Sequence, residues 1–545
     1  MIGPTADLRL SSSGRGAPSG LEGRRGSRWS VRGHRPEPAL VIAVVLMAAI
    51  AGWRFVAAAQ VDGPVTTDAG NWLAFGRDLL GPDVRSSSIV YPPVVPLLTV
   101  VATEVLGLER GIAFLVAVCS VAPAVGVCWT LRRLGVEWIA TWAGVVVAFA
   151  ASSGEAAAWG GFPQLLALGL LPPLLWSLDD HMRGPAPRRA WRSGLIWFAM
   201  AATSHFVAAV GALGGLLVVL LHLTAPTGSP DGARRGGSTV RRMRPNGLFG
   251  LWPALVVSVP LVPLYLDLAT VGSGAVGPGA LRTMVDGLRY TSRDVPALWY
   301  PAIVVALGAP VAAFDRNRGR SWVLAASASG AAVLALILLA DRRVAYLVPV
   351  VAMLSVGLLA VGAADRARVR RRRDPSSLLM VALLVVAGVV QIAAGTTDFA
   401  GQVEHHAVAA GGVAEVLVSL SGSPSDPVVV VAPARSAPLG WWVEGVSRRR
   451  TLTGSDRRWL HFPDERRRAE EAATIFGPGF PTDDQLRTAA AAGASVLVVP
   501  STWRGVDRAA LGEQERRGSL VVCAERADVM VLGIALLEGD EAPCR

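Results

Sequence analysis

Thr66–Leu98 reads TTDAGNWLAFGRDLLGPDVRSSSIVYPPVVPLL and sets three acids, Asp68, Asp78 and Asp83, into one of the most apolar parts of the chain. Directly upstream, PALVIAVVLMAAIAGWRFVAAA at residues 38–59 carries enough consecutive apolar residues to cross a bilayer core as a helix. A polar insert at that point has to lie at the lipid-water boundary. Within it, Trp72, Leu73, Phe75, Leu79 and Leu80 recur at helical spacing, and Tyr91-Pro92-Pro93 then turns the chain into a short apolar helix near 92–107. That segment is short for a full span and is expected to rest in the outer leaflet.

The rest of the chain fits this frame. Of 545 residues, 52% are hydrophobic, and they come in blocks of membrane-spanning length. Apolar blocks predict about eleven spans, near 39–58, 111–131, 136–151, 163–177, 193–204, 206–223, 248–268, 297–314, 322–340, 344–363 and 377–395. The net charge of +11 rests on arginine alone. With the N-terminus cytoplasmic, the inside segments hold 27 arginines and the outside loops 8, which is the asymmetry that orients a multi-pass protein in the plasma membrane. These basic runs are short and scattered between apolar blocks, so no continuous face for nucleic acid exists.

Three regions follow. Residues 1–38 are Arg-, Gly- and Ser-rich and too polar to fold, giving a disordered cytoplasmic tail. Residues 39–395 form the transmembrane body, with a large first outer loop at 60–110. Residues 396–545 lie outside and alternate strand-like runs (426, 494, 519) with helical patterns at 464–476, 482–493 and 506–516, an extracytoplasmic α/β domain. In that compartment Cys523 and Cys544 either pair or remain two free thiols, whereas Cys119 and Cys128 read as core thiols. Trp441, Trp442, Trp459 and Trp503 either stack on sugar rings or fill the core, and at least two are expected in the core.

A helix, a large outer loop with an acid, a helical run ending in glycine and then Tyr-Pro-Pro resembles the GT-C glycosyltransferases, integral-membrane enzymes that take sugars from polyprenyl-phosphate donors. The resemblance implies that architecture over residues 39 to about 400 and makes Asp68 the catalytic base. Many members carry a second acid beside the first, whereas Ala69 follows Asp68 here. No metal ligand is therefore carried over, and a divalent cation is left open. The resemblance also matches RRVAYLVP at 342–349 to an Arg-Tyr-Leu-like segment whose arginine holds the donor phosphate, which points to Arg342 or Arg343.

Elementary chemistry asks for the same parts. Transfer from a lipid phosphate needs a base beside the acceptor hydroxyl and positive charge beside the departing phosphate. Asp68 supplies the first, unless it only caps the helix it begins. The arginine pair supplies the second, unless it only snorkels to headgroups. Tyr91 of the Tyr-Pro-Pro turn is a further substrate-binding candidate. Glu155, expected in the next outer loop beside a Trp159-Gly160-Gly161 turn, either assists Asp68, binds sugar hydroxyls or is a solvated loop acid. His205 lies at the outer face if its run is two spans joined by a hairpin, and inside the bundle if it is one helix. The outer loop 270–296, with Asp286, Arg289, Tyr290, Arg293 and Asp294, has the polarity of a lid.

The expected activity is inverting transfer of a sugar from a polyprenyl-phosphate donor to a cell-envelope glycan or lipid acceptor on the outer face. Two other classes stay open: a transporter or flippase of lipid-linked glycans, and a non-catalytic scaffold of the same fold. No glycine-rich phosphate loop, metal-spaced Cys/His cluster or nucleophile elbow occurs.

Overall fold

The computed structural model describes residues 38–61, 65–82, 84–224, 320–339, 342–354, 375–407, 413–420, 426–432, 439–452, 463–500, 503–526 and 529–535, with residues 256, 259, 357 and 422 besides. The N-terminal tail, nearly all of the expected spans 248–268 and 297–314, the lid-like loop 270–296, Asp341, Trp459 and Cys544 lie outside them.

The chain forms the helices α1 (Pro38–Ala59), α2 (Ala69–Leu79), α3 (Ser86–Val90), α4 (Val94–Leu106), α5 (Leu108–Arg132), α6 (Glu137–Ala148), α7 (Ala151–Trp159), α8 (Phe162–Arg183), α9 (Pro187–Ala201), α10 (His205–Leu223), α11 (Arg320–Leu339) and α12 (Pro375–His406), of which α1, α5 and α10 keep close to the expected bounds. Among the described residues α1, α5 and α10 are long and apolar enough to cross a membrane, and α6 with α7, bent by 48° at their break, make a fourth if they are one span. Burial separates the helices by position. Most of the apolar length of α5 is buried, so it runs through the middle of the bundle, while α1 keeps Val44 58% and Val45 59% exposed. An uncovered apolar face on such a helix is where hydrocarbon chains belong. Close approach in the middle depends on small residues: a side chain at Gly126 of α5 would collide with the backbone of Gly169 on α8.

The ends of the bundle differ in chemistry. At one end, buried Asp179 of α8 pairs with Arg320 (2.7 Å), Arg183 (2.9 Å) and His222 (3.0 Å), and Asp180 pairs with Arg192 at 2.8 Å. Arg192 and Arg320 also lie over the Trp176 ring, 4.5 and 5.0 Å from its centroid. These arginines all come from segments expected inside. The opposite ends of α8, α9 and α10 meet α2, α4 and the end of α7, and the candidate site lies there.

Beyond α12 the chain continues with α13 (Val413–Ser419), β1 (Val428–Val431), α14 (Leu439–Ser447), β2 (Thr451–Leu452), α15 (Pro463–Ile475), α16 (Asp483–Ala491), β3 (Ala494–Pro500), α17 (Arg508–Arg516), β4 (Leu520–Glu525) and β5 (Val529–Ile534). The sheet order is β2-β1-β3-β5-β4, parallel on the β2-β1-β3 side and antiparallel across β3-β5-β4. SLVVCAERADVMVLGI, expected as one strand, is a hairpin, because the polar Glu525-to-Asp528 stretch ends the first apolar run. Cys523 is disulfide-bonded, and Cys119 and Cys128 are free thiols buried in α5. The long helix α12 runs through residue 406, past the boundary expected at 396.

This C-terminal part is fastened to the segment that carries α2. The Trp442 indole, fully buried, donates to the Thr66 carbonyl at 3.1 Å, and Gly70 and Gly445 let α2 and α14 touch backbone to backbone. Trp503 stacks on Phe476 and Phe480. Trp442 and Trp503 are thus packing residues, and Trp441 remains half-buried.

Candidate functional site

The site begins with the question of what caps α2. Thr66 turns the chain in a left-handed conformation (φ 76°), and its hydroxyl accepts from the Ala69 N–H at 3.1 Å. Asp68 occupies the N-cap position but makes no side-chain capping bond. The capping role that would account blandly for an acid here is filled by threonine. The Asp68 backbone N–H donates to the Trp159 carbonyl (3.0 Å) and the Trp72 indole donates to the Gly160 carbonyl (2.7 Å), so the half-buried carboxylate is held against the end of α7.

Gly160 makes that approach feasible. It ends α7 in a left-handed conformation (φ 94°), and a Cβ there would lie 3.1 Å from the Asp68 and Ala69 backbone nitrogens. Only a residue without a side chain fits both demands. Gly160→Ala is expected to cost about 1–2 kcal/mol from the left-handed backbone alone and to displace Asp68. The check is a fall in thermal stability accompanied by a larger fall in whatever turnover the protein shows.

Glu155 is not in a loop. The run ASSGEAAAW is helical (α7), and Glu155 is 7% exposed, which corrects the expectation of an outer-loop acid. Its alanine-rich surroundings favour helix, and Gly160 delays the turn by five residues. A carboxylate so placed is costly unless it has partners. Neighbouring Gly154 faces Phe399 and Gln402 of α12 and the fully buried Arg54 of α1, whose guanidinium lies 5.0 Å from the Phe399 centroid.

His205 begins α10 directly after a break at 202–204, so of the two arrangements weighed from sequence the chain adopts the hairpin. Ser204 caps the new helix by accepting from Val207 at 3.4 Å. The same break supplies the Ala202 carbonyl that accepts from Val94 at the start of α4 (3.1 Å), tying the Tyr-Pro-Pro turn to the α9–α10 turn. Tyr91 is 4% exposed; its ring lies 4.7 Å from Trp72 and 5.8 Å from Phe75, and meets the His205 ring edge-on at 5.7 Å. Tyr91 thus serves as a packed wall behind His205.

RRVAYL at 342–347 is a 3-10 helix. The Arg343 guanidinium stacks on the Phe206 ring at 4.8 Å, beside His205 in sequence. Tyr346, one turn on, accepts from the Trp159 indole through its hydroxyl at 3.0 Å. The side chain of Arg342 lies outside the described residues.

These contacts join end to end. Asp68 meets Trp159, Trp159 meets Tyr346, Arg343 shares the 3-10 helix with Tyr346 and stacks on Phe206, His205 follows on the same turn, and Tyr91 and Trp72 lead back to Gly160. Four sequence-distant segments are therefore linked by a continuous series of contacts that includes Asp68, His205 and Arg343. Sequence reading missed Trp159 and Tyr346 as its links. Both were visible only as an interface tryptophan and as part of RRVAYLVP, because a bond spanning 187 residues leaves no local period. Among the described residues no group of three or more His, Cys, Asp or Glu is placed to hold a metal ion.

No family model matches the sequence, and no curated protein does. Solved structures do match. ArnT from Cupriavidus metallidurans in the apo state shares 15% identity over 92% of this chain and 100% of that one, with a TM-score of 0.53. The same protein bound to undecaprenyl phosphate aligns at 0.51, with 15% identity over 92% and 99% of the two chains. The chain shares the fold of these structures over nearly its whole length. An Archaeoglobus fulgidus oligosaccharyltransferase tethered to an acceptor peptide gives 0.50, with 12% identity over 85% of this chain and 69% of that chain. At these identities the likeness is one of fold, and the chemistry has to be argued from this chain's own residues.

Proposed function

We propose that the protein is an integral-membrane glycosyltransferase that moves a sugar from a polyprenyl-phosphate donor to a cell-envelope glycan or lipid. The observation that carries this reading is the cap of α2: Thr66 fills it, and Asp68 takes no part with its side chain. The shared fold with a protein crystallised with undecaprenyl phosphate supports the donor class.

In the proposed reaction Asp68 takes the proton of the acceptor hydroxyl. The acceptor oxygen attacks the anomeric carbon, the bond from that carbon to the phosphate oxygen breaks, and its electron pair leaves on the polyprenyl phosphate. Arg343, with Arg342 as the other member of the pair, receives the phosphate, since a guanidinium offers two parallel hydrogen bonds to its oxygens. A single displacement inverts the anomeric centre. His205 binds sugar or phosphate oxygens, Tyr91 fixes its ring, and Glu155 assists Asp68 or binds sugar hydroxyls. The site faces the extracytoplasmic side of the plasma membrane in this reading, a placement that the arginine asymmetry supports.

The test is to incubate the purified full-length chain with a panel of radiolabelled polyprenyl-phosphate sugars and envelope glycans. A new glycosidic product of inverted configuration is expected. Label entering vesicles without a product would make the protein a transporter, and neither outcome with any donor would leave a scaffold.

A further inference from the structure

A second basic site lies at the other end of α2. Arg77, nine positions beyond Asp68 and hence about 13 Å along the helix axis, reaches toward the junction of three segments. Its guanidinium donates to the Gly445 and Val446 carbonyls at the end of α14 and pairs with Glu104 of α4 at 2.9 Å. Arg448, just past α14, pairs with the same Glu104 oxygen at 2.6 Å. Two guanidiniums therefore share one carboxylate, and the group keeps a net positive charge. The hydrogen bond from Arg77, followed by the charge of Arg448, holds the Glu104 carboxyl below its ordinary range, so it is ionised at neutral pH.

These three side chains line a cavity of about 480 Å³ whose other walls include Leu108, Val418 and Val446. The Arg448 side chain is half exposed, pairs with Glu104 through one nitrogen and lines the cavity. Its backbone is left-handed (φ 59°), an unfavourable state for a side-chain-bearing residue that directs the guanidinium back over α4.

What adjoins the opening decides the ligand. Leu108 is the first residue of α5, a membrane-crossing helix, so the cavity sits at the rim of the bilayer. Beside it, α4 presents Leu98, Val101 and Val105 at helical spacing, 42%, 58% and 75% exposed, with Leu106 at 42%. A positive cavity at the head of an uncovered apolar stripe matches a molecule with a phosphate at one end and acyl chains at the other.

We infer that the Arg77–Glu104–Arg448 cavity is a binding site for an anionic phospholipid. Its headgroup phosphate takes the exposed side of the Arg448 guanidinium, with Arg77 adding positive charge behind it, and its acyl chains lie along the exposed face of α4. Because Arg77 belongs to α2, Glu104 to α4 and Arg448 to the C-terminal part, a bound headgroup ties all three to the membrane surface. The inference is independent of transfer chemistry, since the cavity and Asp68 are at opposite ends of α2.

Native mass spectrometry of the full-length protein tests it, with dioleoylphosphatidylglycerol, dioleoylphosphatidylcholine and inorganic phosphate as separate probes. Phosphatidylglycerol is expected to be retained in preference to phosphatidylcholine. Arg448→Gln should weaken that retention about tenfold, as expected for loss of a charged hydrogen-bonding partner. Glu104→Gln should strengthen it, because it removes the carboxylate that competes for both guanidiniums, a gain that a damaged fold would not produce. Equal retention of the two lipids, no change in Arg448→Gln, or weaker binding in Glu104→Gln would each overturn the assignment. Inorganic phosphate binding as tightly as the anionic lipid would identify a free-phosphate site and overturn the lipid.

Discussion

Asp68→Asn is expected to reduce sugar transfer by about 10²–10⁴-fold, the usual contribution of a positioned general base, while leaving thermal stability close to that of the wild type. The two halves of this expectation have separate causes. Asparagine is nearly isosteric with aspartate and leaves the backbone bond from Asp68 to the Trp159 carbonyl in place. The helix loses no cap, because the Ala69 N–H is satisfied by Thr66. Thr66→Ala should do the converse and cost about 1 kcal/mol of stability. An assay of initial transfer rates alongside thermal unfolding of both variants separates them. Full activity in Asp68→Asn would remove the base from the mechanism, and a large stability loss in it would return the residue to a structural role.

The helices were legible because each apolar block carries its own length and period, and those properties survive whatever the block packs against. The bounds of α1, α5 and α10 fall within a few residues of the expected ones for that reason. Strands β1 and β3 were legible for a similar reason, as short valine-rich runs bounded by turn residues. Glu155 was misplaced because a nine-residue helix between two breaks offers too little period to distinguish it from a loop. Within the candidate site, Asp68, His205 and the Arg342–Arg343 pair stood out as polar groups in apolar settings. Trp159, Tyr346 and Phe206, which connect them, are indistinguishable from ordinary interface and core aromatics until the chain is folded. The fastening of α14 to α2 was illegible for the same reason: the Trp442–Thr66 bond spans 376 residues. The charges that accompany it look in sequence like any solvated loop.

Those charges carry the largest expected effect on stability. Arg85, in the loop between α2 and α3, pairs with Glu444 of α14 at 2.6 Å, Asp78 of α2 at 3.2 Å and Glu465 of α15 at 3.5 Å. Arg468 closes the group by bonding Glu444 at 2.9 Å and Glu465 at 3.3 Å. Burial alone would lower the Arg85 pKa, but Glu444, Asp78 and Glu465 outweigh it and hold the group above its ordinary value. The cation is therefore fixed at any pH the protein meets. Arg85→Met preserves much of the side-chain volume and removes a guanidinium from all three carboxylates, two of which keep Arg468. Removing one partner from a buried ionic group typically costs about 3–5 kcal/mol, and the cost here falls on the contact between the α2–α3 segment and the C-terminal part. The expected result is a much lower unfolding temperature together with new protease cleavage in the C-terminal part. Arg508→Met is the matched control: its pair with Glu525 is exposed on both sides, so its loss should stay within about 0.5 kcal/mol. Equal melting of the two variants would mean that Trp442 and the Gly70–Gly445 contact hold α14 in place without help from the charges.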